Sequence, residues 1–235
     1  MSSLDKANAA ESNGASIGMS GTSVEHSKIV GIYHAVCRGY KAVHEAEYLR
    51  LWPALVELRK SAGAAFSKNL SDMEFYMESL TEVKWDQHAP NVVATVGANA
   101  MLDAALSGSS YSVVGPFMGL IGAVGFTAAP VIADTMASHA GWTEAGVTNA
   151  PTYTGPRKTI AWAAASGRSK SPSSAPVFSM TGSGTIKGVF IVYGAGAVST
   201  IDSTAGVLFS AGLFTGGDQL VANTNTCSIS YSTSI

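Results

Sequence analysis

Charge is what this chain has least of. Asp, Glu, Lys and Arg make up 13% of its 235 residues, against about 25% in an ordinary soluble domain. The shortage is uneven: residues 91–235 contain only five basic and five acidic side chains. A net charge of −2 excludes the basic field that holds nucleic acid. A surface this poor in charge needs other cover, either Ser and Thr hydroxyls or a neighbouring protein. Cysteine is scarce too. Cys37 and Cys227 are the only two, and they match no zinc or dithiol spacing. They are expected as free thiols buried in strands, with a bridge between the terminal strands as the alternative.

Histidine gives no metal pattern. His26, His34, His44, His88 and His139 include no pair at helical ligand spacing, so neither a metal nor a cofactor is expected. His34 reads as a satisfied or edge histidine of a strand. Serine is plentiful, but no Gly-x-Ser-x-Gly elbow stands between a strand and a helix. The N-terminus, "MSSLDKANAAESNGASIGMSGTS", lacks a basic stretch followed by an apolar one, so it reads as a flexible arm over residues 1–27 and not as a signal peptide.

One apolar run is long enough to test for a membrane span. No charge lies between Asp103 and Asp134, and "VVGPFMGLIGAVGFTAAPVIA" (113–133) could cross a bilayer by length alone. Pro116, Pro130 and four glycines argue against one continuous helix. Two buried strands joined by a turn fit better, and no membrane association is expected.

Strand chemistry dominates the rest. "KIVGIYHAVCR" (28–38), "TEVKWDQHAPNVVATVG" (81–97), "RKTIAWAAA", "APVFSMTG", "TIKGVFIVYG", "AGVLFSAGLF" and "CSISYSTSI" are short runs rich in β-branched and aromatic residues. Pro90 confines its strand to an edge, a turn or a break. "TGSGT" (181–185) reads as a hairpin turn, because it leads into a strand and not into the helix a phosphate-binding loop requires. Gly216, Gly217 and Asp218 read as a turn before the last strand. Residues 41–81 are helical in composition. Leu49, Trp52, Leu55 and Val56 lie at helical spacing, and Pro53 should start or kink a helix. Ser71 and Glu74 stand at capping-box positions, and Met73, Phe75, Tyr76, Met77 and Leu80 read as a packing face. "ANAMLDAALSG" is a short helix ending at Gly108. The fold expected is mainly β: an antiparallel β-sandwich or barrel-like core built from 28–40 and 82–235, with a helical insertion over 41–81, α+β overall.

The stretch with the most chemical residue types is "DTMASHAGWTEA" (134–145), holding Asp134, His139, Trp142 and Glu144. A glycosidase reading needs two carboxylates among Asp134, Glu144, Asp202 and Asp218 to face each other, and a hydrolase reading needs Asp134, His139 and Glu144 to act together. The structural reading has greater weight. Asp134 and Thr135 cap a short helical turn, Gly141 ends it, and Trp142 and Tyr153 pin a long loop to the sheet. His139 and Glu144 then face solvent or a neighbouring subunit. Trp142, Tyr153, His139 and Trp52 are the expected loop-anchor or partner contacts, and no catalytic residue is assigned.

The string "VKWDQHAPNVVATVGANAMLDAALSGSSY…GPFMGLIG", followed by "DTMASHAGWTEA", "NAPTYTGPRKT", "GTIKGVFIV", "LFSAGLFTGGD" and "SISYSTSI", resembles a pattern in virion structural proteins of tailed bacteriophages. The matching positions are Asn91, Val93, Thr95, Gly97, Leu102, Asp103, Gly119 and Leu120, and the resemblance covers residues 28–40 and 82–235. It implies a non-enzymatic capsid decoration or cement protein, or else a tail fibre or head–tail component with receptor or glycan binding near residues 142–153. It also implies a homo-oligomer, by analogy a trimer, that contacts the major capsid protein or other virion subunits and is located in the virion. The chain departs from the pattern between Gly39 and Thr81, where a helical excursion replaces a short turn.

Overall fold

The computed structural model describes residues 30–61, 68–106 and 114–234. The expected N-terminal arm lies outside them. The chain opens with a long hairpin. β1 (Val30–Tyr40) and β2 (Thr81–Val93) pair antiparallel from Ile32↔Pro90 to Tyr40↔Thr81. Period-2 alternation sets the faces: Tyr33, Ala35 and Cys37 are buried, while Ile32, His34, Val36 and Arg38 are at least partly exposed. His34 bonds Asp86 at 2.7 Å and stacks on His88, its cross-strand neighbour, at 4.6 Å.

The helical excursion leaves from the tip of this hairpin. A 3-10 turn (Ala42–His44) leads into α1 (Glu45–Ser61), followed by α2 (Lys68–Ser79). Of the two places expected for Pro53, a helix start or a helix interior, it takes the interior of α1. One sequence expectation changes here. Ser71 and Glu74 lie within α2, which begins at Lys68, and Glu74 binds Arg59 of α1. The buried stripe is Tyr48, Trp52, Leu55 and Val56 against Leu70, Met77 and Leu80, the spacing of one helix face. Leu49, Phe75 and Tyr76, expected to pack, are exposed. They fall on the turns of α1 and α2 that face away from the shared cluster.

After β2 come α3 (Thr95–Leu106), β3 (Phe117–Gly122), β4 (Glu144–Ala145), β5 (Lys158–Thr159), β6 (Ser169–Lys170), β7 (Val177–Ser179), β8 (Gly184–Tyr193), β9 (Val207–Leu213), β10 (Gln219–Val221) and β11 (Thr226–Ser234). Gly108, the expected stop of α3, lies outside the described residues. The apolar run 113–133 yields β3 alone; after Gly122 it continues as turns and irregular chain, with Thr127 and Ala128 donating their backbone N–H groups to the Gly141 carbonyl. No helix among the described residues is long and apolar enough to cross a membrane.

All eleven strands join one antiparallel sheet in the order β4-β3-β8-β9-β2-β1-β11-β6, with β10 on β8, β5 on β3 and β7 on β11. The mainly β, α+β class therefore holds. Pro90 sits where β2 passes from β1 to β9: Ile32↔Pro90 is the last pair with β1, and Asn91↔Gly212 opens the pairing with β9. A residue without an N–H donor is tolerated at such a change of partner. "TGSGT" makes no hairpin, because β7 pairs β11 while β8 pairs β3, β9 and β10. Its glycines serve a close approach instead, since a Cβ on Gly184 would sit 2.9 Å from the Pro151 nitrogen. The Gly216–Gly217 turn precedes the short β10, with β11 following.

The sheet curls until its ends meet. Strands in a sheet lie about 4.8 Å apart, so a flat sheet would hold β9 and β11, three places apart, far out of contact. Instead Phe209 of β9 meets Tyr231 of β11 at 6.1 Å, and the Tyr33 hydroxyl of β1 bonds Ser210 of β9 at 2.5 Å. The two edges are stitched together by a Tyr153↔Met180 bridge, with the Thr154 N–H donating to the Ser179 carbonyl and the Thr181 N–H to the Thr152 carbonyl, both at 2.9 Å. Residues 152–154 belong to the β4–β5 loop on one edge, and 179–181 adjoin β7 on the other. The result is a barrel-like closure around one large core. Cys37 and Cys227 face each other across the β1–β11 ladder as free, buried thiols; burial, with Cys37 alongside, pushes the Cys227 thiol up.

Candidate functional site

The stretch 134–145 folds without a helix. Asp134 does pin a turn, but the one before it: its N–H bonds the Val131 carbonyl, and its Oδ2 accepts the Val131 N–H, both at 3.0 Å. The same Oδ2 accepts the Trp142 indole N–H at 2.9 Å. Thr135 holds the next turn through the Ser138 N–H. Gly141 is no helix stop; a Cβ there would lie 2.8 Å from the Ala128 carbonyl oxygen, so glycine is needed for the two loops to touch.

Trp142 is 2% exposed. Its ring is sandwiched between His139 at 4.0 Å and Phe190 of β8 at 5.2 Å. His139 is half-buried, and its Nδ1 lies 3.0 Å from the Trp142 carbonyl oxygen. Trp142→Phe keeps most of the ring burial but removes the N–H donor from a carboxylate; it should lower stability by about 1–2 kcal/mol, read as a fall in the urea midpoint at unchanged slope. A neutral substitution would mean that the Asp134 bond contributes nothing.

Beneath Trp142 lies a cavity of about 160 Å³ whose floor is an ion pair. Glu144, expected to face solvent or a neighbour, is instead buried against Arg157, which is fully buried. The contact is bidentate: Arg157 Nε donates to Oε1 at 2.9 Å and Nη2 to Oε2 at 2.7 Å. Oε2 also accepts the Asp202 N–H at 2.8 Å. Arg157 adds the Ser203 carbonyl at 2.7 Å and the Val198 carbonyl at 3.3 Å, and its guanidinium lies over the Phe190 ring. Burial pushes the Glu144 carboxyl above its ordinary range, and the guanidinium pulls it back. Asp202, at φ +63°, bonds the Thr148 hydroxyl and N–H instead.

Of the candidate acid–base residues, His139, Glu144 and Asp202 line this cavity together, but each carboxylate is already engaged by its own chain. Asp134 holds Trp142, Glu144 holds Arg157 together with the Asp202 backbone, and Asp218 pairs with Lys187. Among the described residues, no group of three His, Cys, Asp or Glu is placed to hold a metal ion. Tyr153 is also buried, edge-on to Phe178 at 5.0 Å, and burial pushes its hydroxyl well up. Trp52 is buried under Tyr48 in the helical cluster. Neither Trp142, Tyr153 nor Trp52 can present its ring to a partner or a glycan; each anchors its own chain. Sequence reasoning missed Arg157. The signal was faint but physical, since a lone cation in a charge-poor, loop-like stretch needs a countercharge if it is buried.

Compared with known proteins, the chain matches no family model, no curated protein and no solved structure.

Proposed function

We propose that this chain is a non-enzymatic structural protein of a phage virion, a capsid decoration or cement protein, with a tail fibre or head–tail component as the alternative placement. The order of motifs that resembles virion structural proteins of tailed bacteriophages suggests the class. One structural observation carries the reading further. The helical excursion is fastened to the core by the Tyr48 hydroxyl on the Thr224 carbonyl (2.8 Å) and by Arg59 on Ser179. Yet it leaves Val43 85% and Phe75 80% exposed, with Leu49 exposed as well. Apolar side chains held out on a braced arm suit burial against a neighbour. Elsewhere the residue types that suggested catalysis are occupied in holding loops, which supports a structural role over a hydrolase.

The decisive measurement is the copy number in purified particles. Hundreds of copies fit capsid decoration, and about 3–18 fit the tail, as closed symmetry requires; absence from particles overturns the proposal. Phe75→Ser should change the stability of the isolated protein by no more than about 0.5 kcal/mol, as for other surface positions, while sharply lowering its occupancy on particles. Unchanged occupancy would take the helical arm out of the interface.

A further inference from the structure

The chain's two cysteines meet where its first and last strands pair. Cys37 of β1 stands directly opposite Cys227 of β11, and both side chains are fully buried on the inner face of the sheet. The backbone decides how close they come. On the other side of β11, the Met180 N–H donates to the Asn225 carbonyl at 2.8 Å, and the Ile229 N–H to the Pro176 carbonyl at 2.9 Å. Bonding groups alternate from one side of a strand to the other. Cys227, which pairs with Phe178, therefore also aims its N–H and C=O at β7. Towards β1 it occupies a non-hydrogen-bonded position. Facing Cα atoms lie about 4.5 Å apart there, with the side chains at their closest, and a disulfide needs about 4.4–6.8 Å.

Two further observations bear on the pair. The Cys37 thiol is within hydrogen-bonding reach of the Cys227 sulfur, and its other partner is the Asn225 Oδ1 at 3.8 Å. The chain has no third cysteine, so a single intramolecular bridge is possible.

We propose that Cys37 and Cys227 are an oxidative modification site: under a low-molecular-weight disulfide they form a crosslink that ties the first strand to the last. The chemistry balances as thiol–disulfide exchange. One cysteine, as the thiolate, attacks a sulfur of the oxidant, forms a mixed disulfide and expels one thiol. The second cysteine gives up its proton, attacks the first cysteine's sulfur and expels the other thiol. The two protein thiols lose two electrons and two protons, and the oxidant leaves as two thiols. In the closed sheet neither sulfur is open to an oxidant, so the first step takes place while β1 and β11 are apart, during folding or local opening. The paired ladder then aligns the second sulfur. The crosslink closes a ring over residues 37–227, which holds the helical arm and every strand from β2 to β10, so the sheet can no longer open at the β1–β11 ladder. This goes beyond the structural role and does not depend on it.

The test is to refold the full-length protein from urea with oxidised glutathione or with a phosphine reductant, and to block remaining thiols with N-ethylmaleimide before peptide mass spectrometry. Most chains refolded with the oxidant should carry Cys37 joined to Cys227, lighter by two hydrogens and free of maleimide. They should melt roughly 5–15 °C above the reduced protein, and unfolding in dithiothreitol followed by refolding should erase the difference. Added to the already folded protein, the oxidant should crosslink at least about tenfold more slowly, with the rate rising in mild urea. Cys227→Ala should gain no melting temperature from the oxidant. The proposal is overturned if the refolded chain keeps both thiols free, if glutathione stays attached in place of the crosslink, if the crosslinked protein melts no higher than the reduced one, or if the folded protein reacts as fast as the refolding one. The wild-type result decides even if the variant fails to fold.

Discussion

Arg157→Met should lower the unfolding free energy by about 3–5 kcal/mol, the usual cost of leaving a buried charge without its partner. Glu144 sits at 5% exposure, and without the guanidinium only the Asp202 N–H would still face its carboxylate. The sign of the pH dependence follows. Burial already pushes this carboxyl up, and removing Arg157 takes away what pulls it back. The variant's folded state then holds a proton that the unfolded chain, with a glutamate near 4.3, has released. Stability is therefore retained below about pH 4 and lost as pH rises through the raised folded value. The deficit relative to wild type should be largest at pH 7 and shrink towards pH 4–5. Replacing both partners, as Glu144→Leu with Arg157→Met, should recover most of the loss. Urea denaturation across this range checks all three statements. A deficit under about 1 kcal/mol at pH 7, or one that ignores pH, would show that the pair is not the buried, water-excluded contact described here.

The second large effect concerns Lys158 and has the opposite direction in pH. Its ammonium is held down to about 8 from an ordinary 10.5, first by desolvation and then by Arg59. Between those values the unfolded chain carries a proton that the folded chain lacks, so stability rises with pH across the window. At about 1.4 kcal/mol per unit, a fully buried group would gain about 3 kcal/mol from pH 8 to 10.5; partial exposure of Lys158 trims this to about 2 kcal/mol. Lys158→Met removes the titration. The variant should be more stable than wild type at pH 7 and lose that advantage near pH 10. Because other groups also titrate there, the quantity to measure is the difference between the two proteins in chloride buffer. A difference that stays flat with pH would mean that the ammonium is well solvated.

Much of the fold was legible in the residues. The alternation in "GIYHAVC" produced a half-buried strand, and the 41–81 composition produced helices, because both patterns report local periodicity against a core. Boundaries were less legible. Pro53 and Ser71 are local signals, and packing of Tyr48, Trp52 and Leu55 against Leu70 and Met77 extends helices past them, since tertiary burial outweighs caps worth about 1 kcal/mol. "TGSGT" looked like a hairpin because glycine marks a tight approach without saying whose backbone approaches.

The candidate site was the least legible part. Asp134, His139, Trp142 and Glu144 lie within eleven positions, yet their partners are Val131, Phe190, Arg157 and Asp202, two of them on other strands or distant loops. By itself the sequence determined the class of fold, the helical character of residues 41–81 and the scarcity of charge. These follow from composition and short-range pattern. Only the tertiary structure decided that the sheet curls until its edges meet, which buries Arg157 on Glu144 and leaves Lys158 without a carboxylate. Long-range pairing sets which ionised group meets which, and in a charge-poor chain a single such meeting separates a catalyst from a clasp.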